Sequence, residues 1–324
     1  MNNRESKYIL YGTDNLSRDA MAFFGRESIA AFFDPAYEDG DIDGITVITD
    51  ENQFKNCSKN KQVVLTWSGI KNITDAVELM CRLGVRYKLF GEAASEVIDD
   101  EAVKYSEMNI RPVFAFDDSR KHYFARDRVS RAGSVNHYFW QDLWAAKHIY
   151  KHRPETHYDI GSRVDGFIAN VLSFGQKVNL IDVRPLDVNI PGVSFTRADA
   201  THLDGIDDGS IQSLSALCSL EHFGLGRYGD PLDPEACFKC FDAIQNKVDA
   251  GGHIYIAVPV GKEGVEFNAH RVFSPNTIIN EFSRCILKEY AVDFGTHIEY
   301  GVDYNELNEA KDYEYGLFYF VKKG

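Results

Sequence analysis

His157-Tyr158-Asp159-Ile160-Gly161-Ser162-Arg163-Val164-Asp165-Gly166 is the stretch whose reading decides the fold. Tyr158 and Ile160 have the character of a strand end, and Gly161 lets the chain turn tightly against a ligand. Phe167, Ile168, Val171 and Leu172 then begin a helical apolar stripe. A strand that breaks through a glycine turn into a helix leaves free N–H groups at the helix start, which is the arrangement of a cofactor cradle.

Downstream, the pattern continues as alternating strands and helices. After a helix over 167–174, the strand Val178–Ile181 ends in Asp182, which lies 23 residues beyond Asp159. A glycine turn and the acid that grips a ribose are separated by roughly 20 residues. Asp182 can accept hydrogen bonds from both ribose hydroxyls. The strand Val193–Thr196 leads to Asp199, placed to receive an adenine amino group, and the strand Ile211–Leu217 leads into Cys218-Ser219-Leu220-Glu221-His222. Strands at His253–Val258, Leu287–Val292 and Gly316–Val321 bring the expected count to seven.

The N-terminal half reads as a smaller α/β domain. Strands are expected at Tyr8–Tyr11, Ile29–Phe33, Ile45–Ile48, Val63–Trp67 and Tyr87–Phe90, with helices from Leu16 to Phe24 and from Ile73 to Leu83, the latter stopped by Gly84. Such alternation favours a parallel sheet covered on both faces. The domain is Rossmann-like, but Gly12 alone remains of a glycine series and Asp14 stands where phosphate would lie. Nucleotide binding therefore competes with scaffolding, dimerisation or acceptor positioning, and Asp34, after strand two, is a weak site candidate beside its reading as a turn residue. From Gly91 to Arg131 the sequence is charged and less regular, with a possible edge strand at Ile110–Phe116 that contains Pro112. The domains are expected at 1–115 and 156–324. Residues 116–155 form a connection, and the aromatic run His137-Tyr138-Phe139-Trp140-Gln141-Asp142-Leu143-Trp144 is either a cap on the sheet or a lid in which Tyr138 and Gln141 face the cofactor.

Composition narrows the function. With 49 acidic against 35 basic residues the net charge is −14, which disfavours nucleic acid as a partner. No apolar run reaches membrane-spanning length and the start has no signal-peptide core, so a cytoplasmic protein is expected. The six cysteines lack disulfide-scaffold spacing. Cys237 and Cys240 fit the buried face of a helix better than a metal pair, and no metal is assigned.

The set Asp159-Ile160-Gly161, Asp182, Asp199-Ala200, Leu220-Glu221-His222 and Gly251-Gly252 resembles a class I S-adenosylmethionine-dependent methyltransferase over about Thr156 to Lys323. It is most similar to a family catalogued as a domain of unknown function, whose members pair His-Tyr-Phe-x-Gln-Asp with Asp-Ile-Gly-Ser-Arg. The resemblance implies a seven-stranded Rossmann-like methyltransferase sheet and S-adenosylmethionine as cofactor. It puts Asp159, Gly161, Ser162 and Arg163 at the methionine end, Asp182 at the ribose, Asp199 and Ala200 at the adenine, and Ser219 beside them. Arg163 and Asp165 stand where a dinucleotide site has glycines, which favours a donor without phosphates over NAD.

For methyl transfer to a hydroxyl, His222 is the leading base candidate, Glu221 its neighbour and His270 the second candidate. Arg271 either pairs with a carboxylate or phosphate of the acceptor or forms a structural ion pair, and Tyr228 lies in the glycine-rich loop 224–231, which either closes over the acceptor or is a surface loop. The leading function is O-methylation of a small-molecule or sugar-containing acceptor, such as a polysaccharide precursor, by a possible homodimer. An NAD-dependent oxidoreductase and a non-catalytic ligand-binding scaffold are the alternatives.

Overall fold

The computed structural model describes residues 6–38, 40–66, 70–130, 132–133, 135–309 and 312–324. Trp67 and Arg131 of the segments considered above lie outside the described residues. The chain divides into two compact units, Met1–Ala132 and Gly133–Gly324.

The first unit runs β1 (Tyr8–Tyr11), α1 (Asn15–Phe24), β2 (Ile29–Phe33), β3 (Asp41–Ile42), β4 (Ile45–Ile48), α2 (Glu51–Cys57), β5 (Gln62–Leu65), α3 (Ile70–Leu83), β6 (Tyr87–Leu89) and α4 (Phe90–Met108). Its sheet has the order β3-β4-β2-β1-β5-β6, parallel except for the short edge strand β3. Strand residues alternate between two cores. Ile9, Tyr11 and Phe33 pack with Phe54 of α2 and Met80 of α3, while Leu10 and Phe32 pack with Phe23 of α1 and Ala94 of α4. Burial on both faces is why these strands read as unbroken apolar runs.

Two expectations for this unit are corrected. The charged stretch after Phe90 is a helix of 19 residues, whose Phe90, Ala93, Ala94, Val97 and Ile98 recur at helical spacing against the sheet, and whose Glu92 accepts the N–H of Leu89 at 2.9 Å. Ile110–Phe116 is not an edge strand, because Pro112–Phe114 closes into a 3-10 turn.

The strand order reverses between β1 and β5, the place where such sheets take ligands. Side chains of the unit itself fill it. Asp14 accepts the Ser17 N–H at 3.1 Å, the Ser17 and Thr66 hydroxyls meet at 2.6 Å, and Thr13 donates to Asp34 at 2.6 Å. Asp34, buried and also holding the Ala36 N–H, is a structural turn residue here.

The second unit runs α5 (His137–His152), β7 (Thr156–Ile160), α6 (Gly166–Ser173), β8 (Lys177–Asp182), β9 (Val193–Arg197), β10 (Ile211–Leu217), α7 (Ala236–Lys247), β11 (Val248–Val260), β12 (Gly264–Glu266), β13 (His270–Val272), α8 (Pro275–Glu281), β14 (Cys285–Asp293), β15 (Ile298–Tyr300), α9 (Tyr304–Glu309) and β16 (Glu314–Lys322). The main sheet has the order β15-β14-β16-β11-β10-β7-β8-β9. Strands β9, β8, β7, β10 and β11 are parallel, and β16 enters antiparallel between β11 and β14. The seven expected strands are all present. The three-residue edge strand β15, too short to announce itself in sequence, makes an eighth.

Helices α5 and α6 cover one face through Trp144, Ile149, Phe167 and Val171. Helices α7 and α8 cover the other through Phe241, Ile244 and Ile278, with Cys237 and Cys240 fully buried among them as core residues. The aromatic helix thus belongs to the second unit rather than to a connection. The parallel half reverses between β7 and β10, so the carboxyl ends of β7, β8, β9 and β10 converge on one crevice. No described helix is long and apolar enough to cross a membrane.

Phe241 has no exposed surface and touches the Phe273 and Phe282 rings. Phe241→Ala is expected to destabilise the protein by about 3–5 kcal/mol in denaturant unfolding. A loss under about 1 kcal/mol would show that this core collapses around the gap.

Candidate functional site

At those strand ends lies a cavity of about 1200 Å³. Its wall includes Gly161, Ser162, Arg163, Asp182, Asp199, Ala200, Ser219, Glu221, His222 and His270, with Tyr138 and Gln141 from α5 and Tyr228 from the glycine-rich loop. Single-ligand pockets span roughly 300–1,000 Å³. The volume lies at or slightly above the upper end of that range.

The turn after β7 is built from below. Asp159 is fully buried; one oxygen accepts the Ser162 N–H at 3.1 Å and the other accepts the Ser215 hydroxyl. Ser215 and Ser213 also flank His157, each 2.8 Å from one of its ring nitrogens. Burial raises the Asp159 carboxyl to about 6 and lowers His157 to about 3. Asp159, expected to touch the cofactor, does not line the cavity and instead holds the loop that borders it. Gly161 holds φ at +78°, and a Cβ there would come within 2.9 Å of the Ser219 Cβ. Backbone and Ser219 are thus in direct apposition.

One of the helix N–H groups expected to be free at this turn is taken. Asp142, 8 % exposed, accepts the Phe167 N–H at the start of α6, and a Cβ on Gly166 would meet its Oδ2 at 2.6 Å. Burial raises the Asp142 carboxyl to about 7. A larger residue at 166 would displace this carboxyl. Sequence reasoning quoted Asp142 within a motif but gave it no role, since its partner lies on the next helix.

Asp182 ends β8 at the wall. Its carboxylate accepts from the Arg184 backbone at 2.8 Å and from that guanidinium at 2.6 and 3.0 Å, and these bonds outweigh burial to lower its pKa. A carboxylate has about four lone-pair sites, so capacity for hydroxyl donors remains. Asp199 Oδ1 receives the backbone N–H and hydroxyl of Thr201 at 2.9 and 2.7 Å, and Ala200 is buried next to it. Arg163 is exposed and pairs with Asp165 at 3.2 Å.

Helix α5 proves to be both cap and wall. Trp144 is buried against the sheet and donates to Glu289 at 2.7 Å, while Tyr138 and Phe139 stay exposed and face the cavity. Gln141, 2 % exposed, accepts from the thiol of Cys218 at 2.9 Å. Cys218 itself has φ +51°, a strained position that sequence gave no means of finding.

Opposite the cradle stand Glu221, His222 and His270. His222 Nδ1 lies 2.7 Å from the Ala269 carbonyl; a carbonyl only accepts, so Nδ1 carries the proton and Nε2 bears the lone pair. Burial lowers His222 to about 4, with the Arg227 charge adding to the effect. Glu221, 2 % exposed, sits with Oε1 3.4 Å from His222 Nε2, and its Oε2 is buried without a partner. Burial raises Glu221 to about 8. His270 Nε2 is likewise buried and unpartnered, because Glu266 at 3.3 Å is out of hydrogen-bond alignment.

Arg271 is corrected. It is 6 % exposed, does not line the cavity, and donates to the carbonyls of Phe223 at 2.6 Å and Pro234 at 3.2 Å. It clamps the loop after β10 and has no face for an acceptor. No group of three or more His, Cys, Asp or Glu arranged to hold a metal occurs among the described residues.

The second unit is a doubly wound, Rossmann-like α/β structure with its crevice at the strand switch. A family model described as "Caenorhabditis protein of unknown function, DUF268" matches residues 207–309. No curated protein matches the chain. Among solved structures, the chain is similar to the N-methyltransferase NodS from Bradyrhizobium japonicum WM9 in complex with S-adenosyl-L-homocysteine, at 14% identity and TM-score 0.41, over 69% of this chain and 98% of that one. It is also similar to the 1,6-didemethyltoxoflavin-N1-methyltransferase of Burkholderia thailandensis, at 14% identity and TM-score 0.38, over 72% and 91%. A third is the [4+2]-cyclase SpnF, at 16% identity and TM-score 0.41, over 64% and 85%.

Two substitutions separate ligand roles from structural ones. Gly161→Ala forces a left-handed alanine, a strain of about 1–3 kcal/mol, against Ser219. It is expected to lower ligand affinity in the cavity at least tenfold by calorimetry. Arg271→Met is expected to lower unfolding free energy by at least about 2 kcal/mol, since it leaves buried carbonyls without donors; an unaltered melting curve would return Arg271 to the list of acceptor contacts.

Proposed function

We propose that the second unit is an S-adenosylmethionine-dependent methyltransferase. The observation that carries the reading is the carboxyl of Asp142 at the start of α6. A pyrophosphate at this helix start would meet an acid already on the Phe167 N–H, whereas a sulfonium donor carries positive charge and no phosphate. The rest of the wall fits the same donor. Asp182 offers lone pairs to a ribose diol, Asp199 to an exocyclic amine, and the Gly161–Ser162 turn approaches closely enough for a methionine portion.

When bound, that cofactor supplies an electrophilic methyl group for in-line displacement. The chain's part is to align the acceptor and remove its proton. His222 does this in our reading. Its Nδ1–H, tied to Ala269, fixes the ring, and Nε2 takes the proton of an acceptor hydroxyl. Glu221 Oε1 stands 3.4 Å from Nε2, so the carboxyl in its ionised form would steady the imidazolium. The neighbouring His270 supplies a second acceptor nitrogen at a ring separation of 6.4 Å. Under this reading, sugar-containing hydroxyl compounds are the first acceptors to assay, and NAD is the control ligand.

Calorimetry with S-adenosylhomocysteine and NAD is expected to show binding of the former alone; the reverse result would replace methyl transfer with oxidoreduction. In His222→Gln, kcat is expected to fall about a hundredfold or more with S-adenosylhomocysteine affinity unchanged. A base lowered to about 4 stays unprotonated above that pH. The wild-type kcat should therefore stay level from about pH 7 to about pH 5, with no fall near the ordinary histidine value of about 6.5. A limb at that value would assign the proton to another group.

A further inference from the structure

The cavity wall holds three arginines, Arg163, Arg184 and Arg227. Two are neutralised within the chain, Arg163 by Asp165 and Arg184 by Asp182. Arg227 has no ion-pair partner among the described residues. One of its Nη atoms donates to the Ala269 carbonyl at 3.0 Å, and its Nε and other Nη carry no hydrogen bond to protein among the described residues.

Of the other acids of the wall, Asp142, Asp199, Glu221, Asp230 and Asp233, none forms an ion pair with Arg227 among the described residues. Asp230 gathers the N–H groups of Gly224, Gly226 and Tyr228, at 2.7, 3.4 and 3.2 Å. Asp233 pairs with Lys239 at 2.7 Å. Glu221 is held toward its neutral form by burial, with the Arg227 charge acting the other way. Arg227 is also held in place. Its guanidinium lies 5.3 Å from the centroid of the Tyr228 ring, which Arg184 approaches at 5.1 Å. The Tyr228 ring in turn meets the His222 ring edge-on, and the Arg227 guanidinium stands 3.3 Å from His222 Nδ1.

An oriented, unneutralised guanidinium beside the candidate base is a fork for a planar or tetrahedral oxyanion. We propose that Arg227 seats a carboxylate or phosphate carried by the acceptor, so that the methylated molecule is an acid or a phosphate ester rather than a neutral alcohol. The proposal rests on the methyl-transfer reading for the word acceptor, but not for the anion seat. It moves to Arg227 the role that sequence gave to Arg271. The negative net charge of the whole chain makes a local cation the more necessary for such a ligand.

The test titrates the full-length protein with glucuronate, glucose 1-phosphate and glucose, with S-adenosylhomocysteine measured in parallel. Glucuronate or glucose 1-phosphate, and not glucose, is expected to bind at millimolar concentration, the tighter of the two naming the source of the anion. Arg227→Gln should weaken that binding at least tenfold and Arg227→Lys less, with S-adenosylhomocysteine affinity and melting temperature unchanged in both. Equal binding of glucose and its acids, binding of none of the three, or unchanged anion affinity in Arg227→Gln would overturn the proposal. Anion binding without S-adenosylhomocysteine binding would remove the methyl-transfer reading and leave the seat; the converse would do the opposite.

Discussion

A buried carboxylate gripping its own backbone is the constraint on which the site depends. Asp159 lies wholly out of solvent and accepts the Ser162 N–H, so the turn that borders the cavity is anchored one layer below it. The Ser215 hydroxyl and His157 extend this anchor across β10 and β7. A burial cost severe enough to shift both titrations is offset by filled hydrogen bonds, and the return is a loop held in one place. Loss of any member would leave a partner stranded in an apolar layer.

Above that layer, charge is partitioned rather than spread. Arg163, Arg184 and Lys239 are each tied to a nearby aspartate, while Asp142 and Glu221 are driven by burial toward neutrality. A wall crowded with acids therefore has a milder field than its composition suggests. The unpartnered atoms, Glu221 Oε2 and His270 Nε2, are confined to one side. Groups left unsatisfied in this way cost stability in the free protein.

Much of this was legible in the chain. The seven long strands, the turn at Gly161, the carboxylates ending β8 and following β9, and His222 after β10 were readable because each depends on local pattern. Helix α4 was missed although its spacing was present, since the charges on its outer face obscured Phe90, Ala93, Ala94 and Val97. The fates of Arg271 and Asp142 were out of reach for a different reason. Whether an arginine meets a ligand or a backbone carbonyl, and whether a helix start is open or filled, depends on residues distant in sequence. Arg227 carried no distinguishing signal either, as its significance comes from the absence of a carboxylate that the other two arginines possess.

The first unit illustrates what self-completion implies. Where a nucleotide-binding sheet would take an anion from solution, α1 is met by the carboxylate of Asp14, and the adjoining Thr13, Ser17, Asp34 and Thr66 satisfy one another. A site filled by metabolite adds stability in proportion to the logarithm of ligand concentration; one filled by its own side chains does not. With these groups bonded inside the unit, their contribution to its folding free energy comes from the polypeptide and does not vary with the concentration of a dissolved anion.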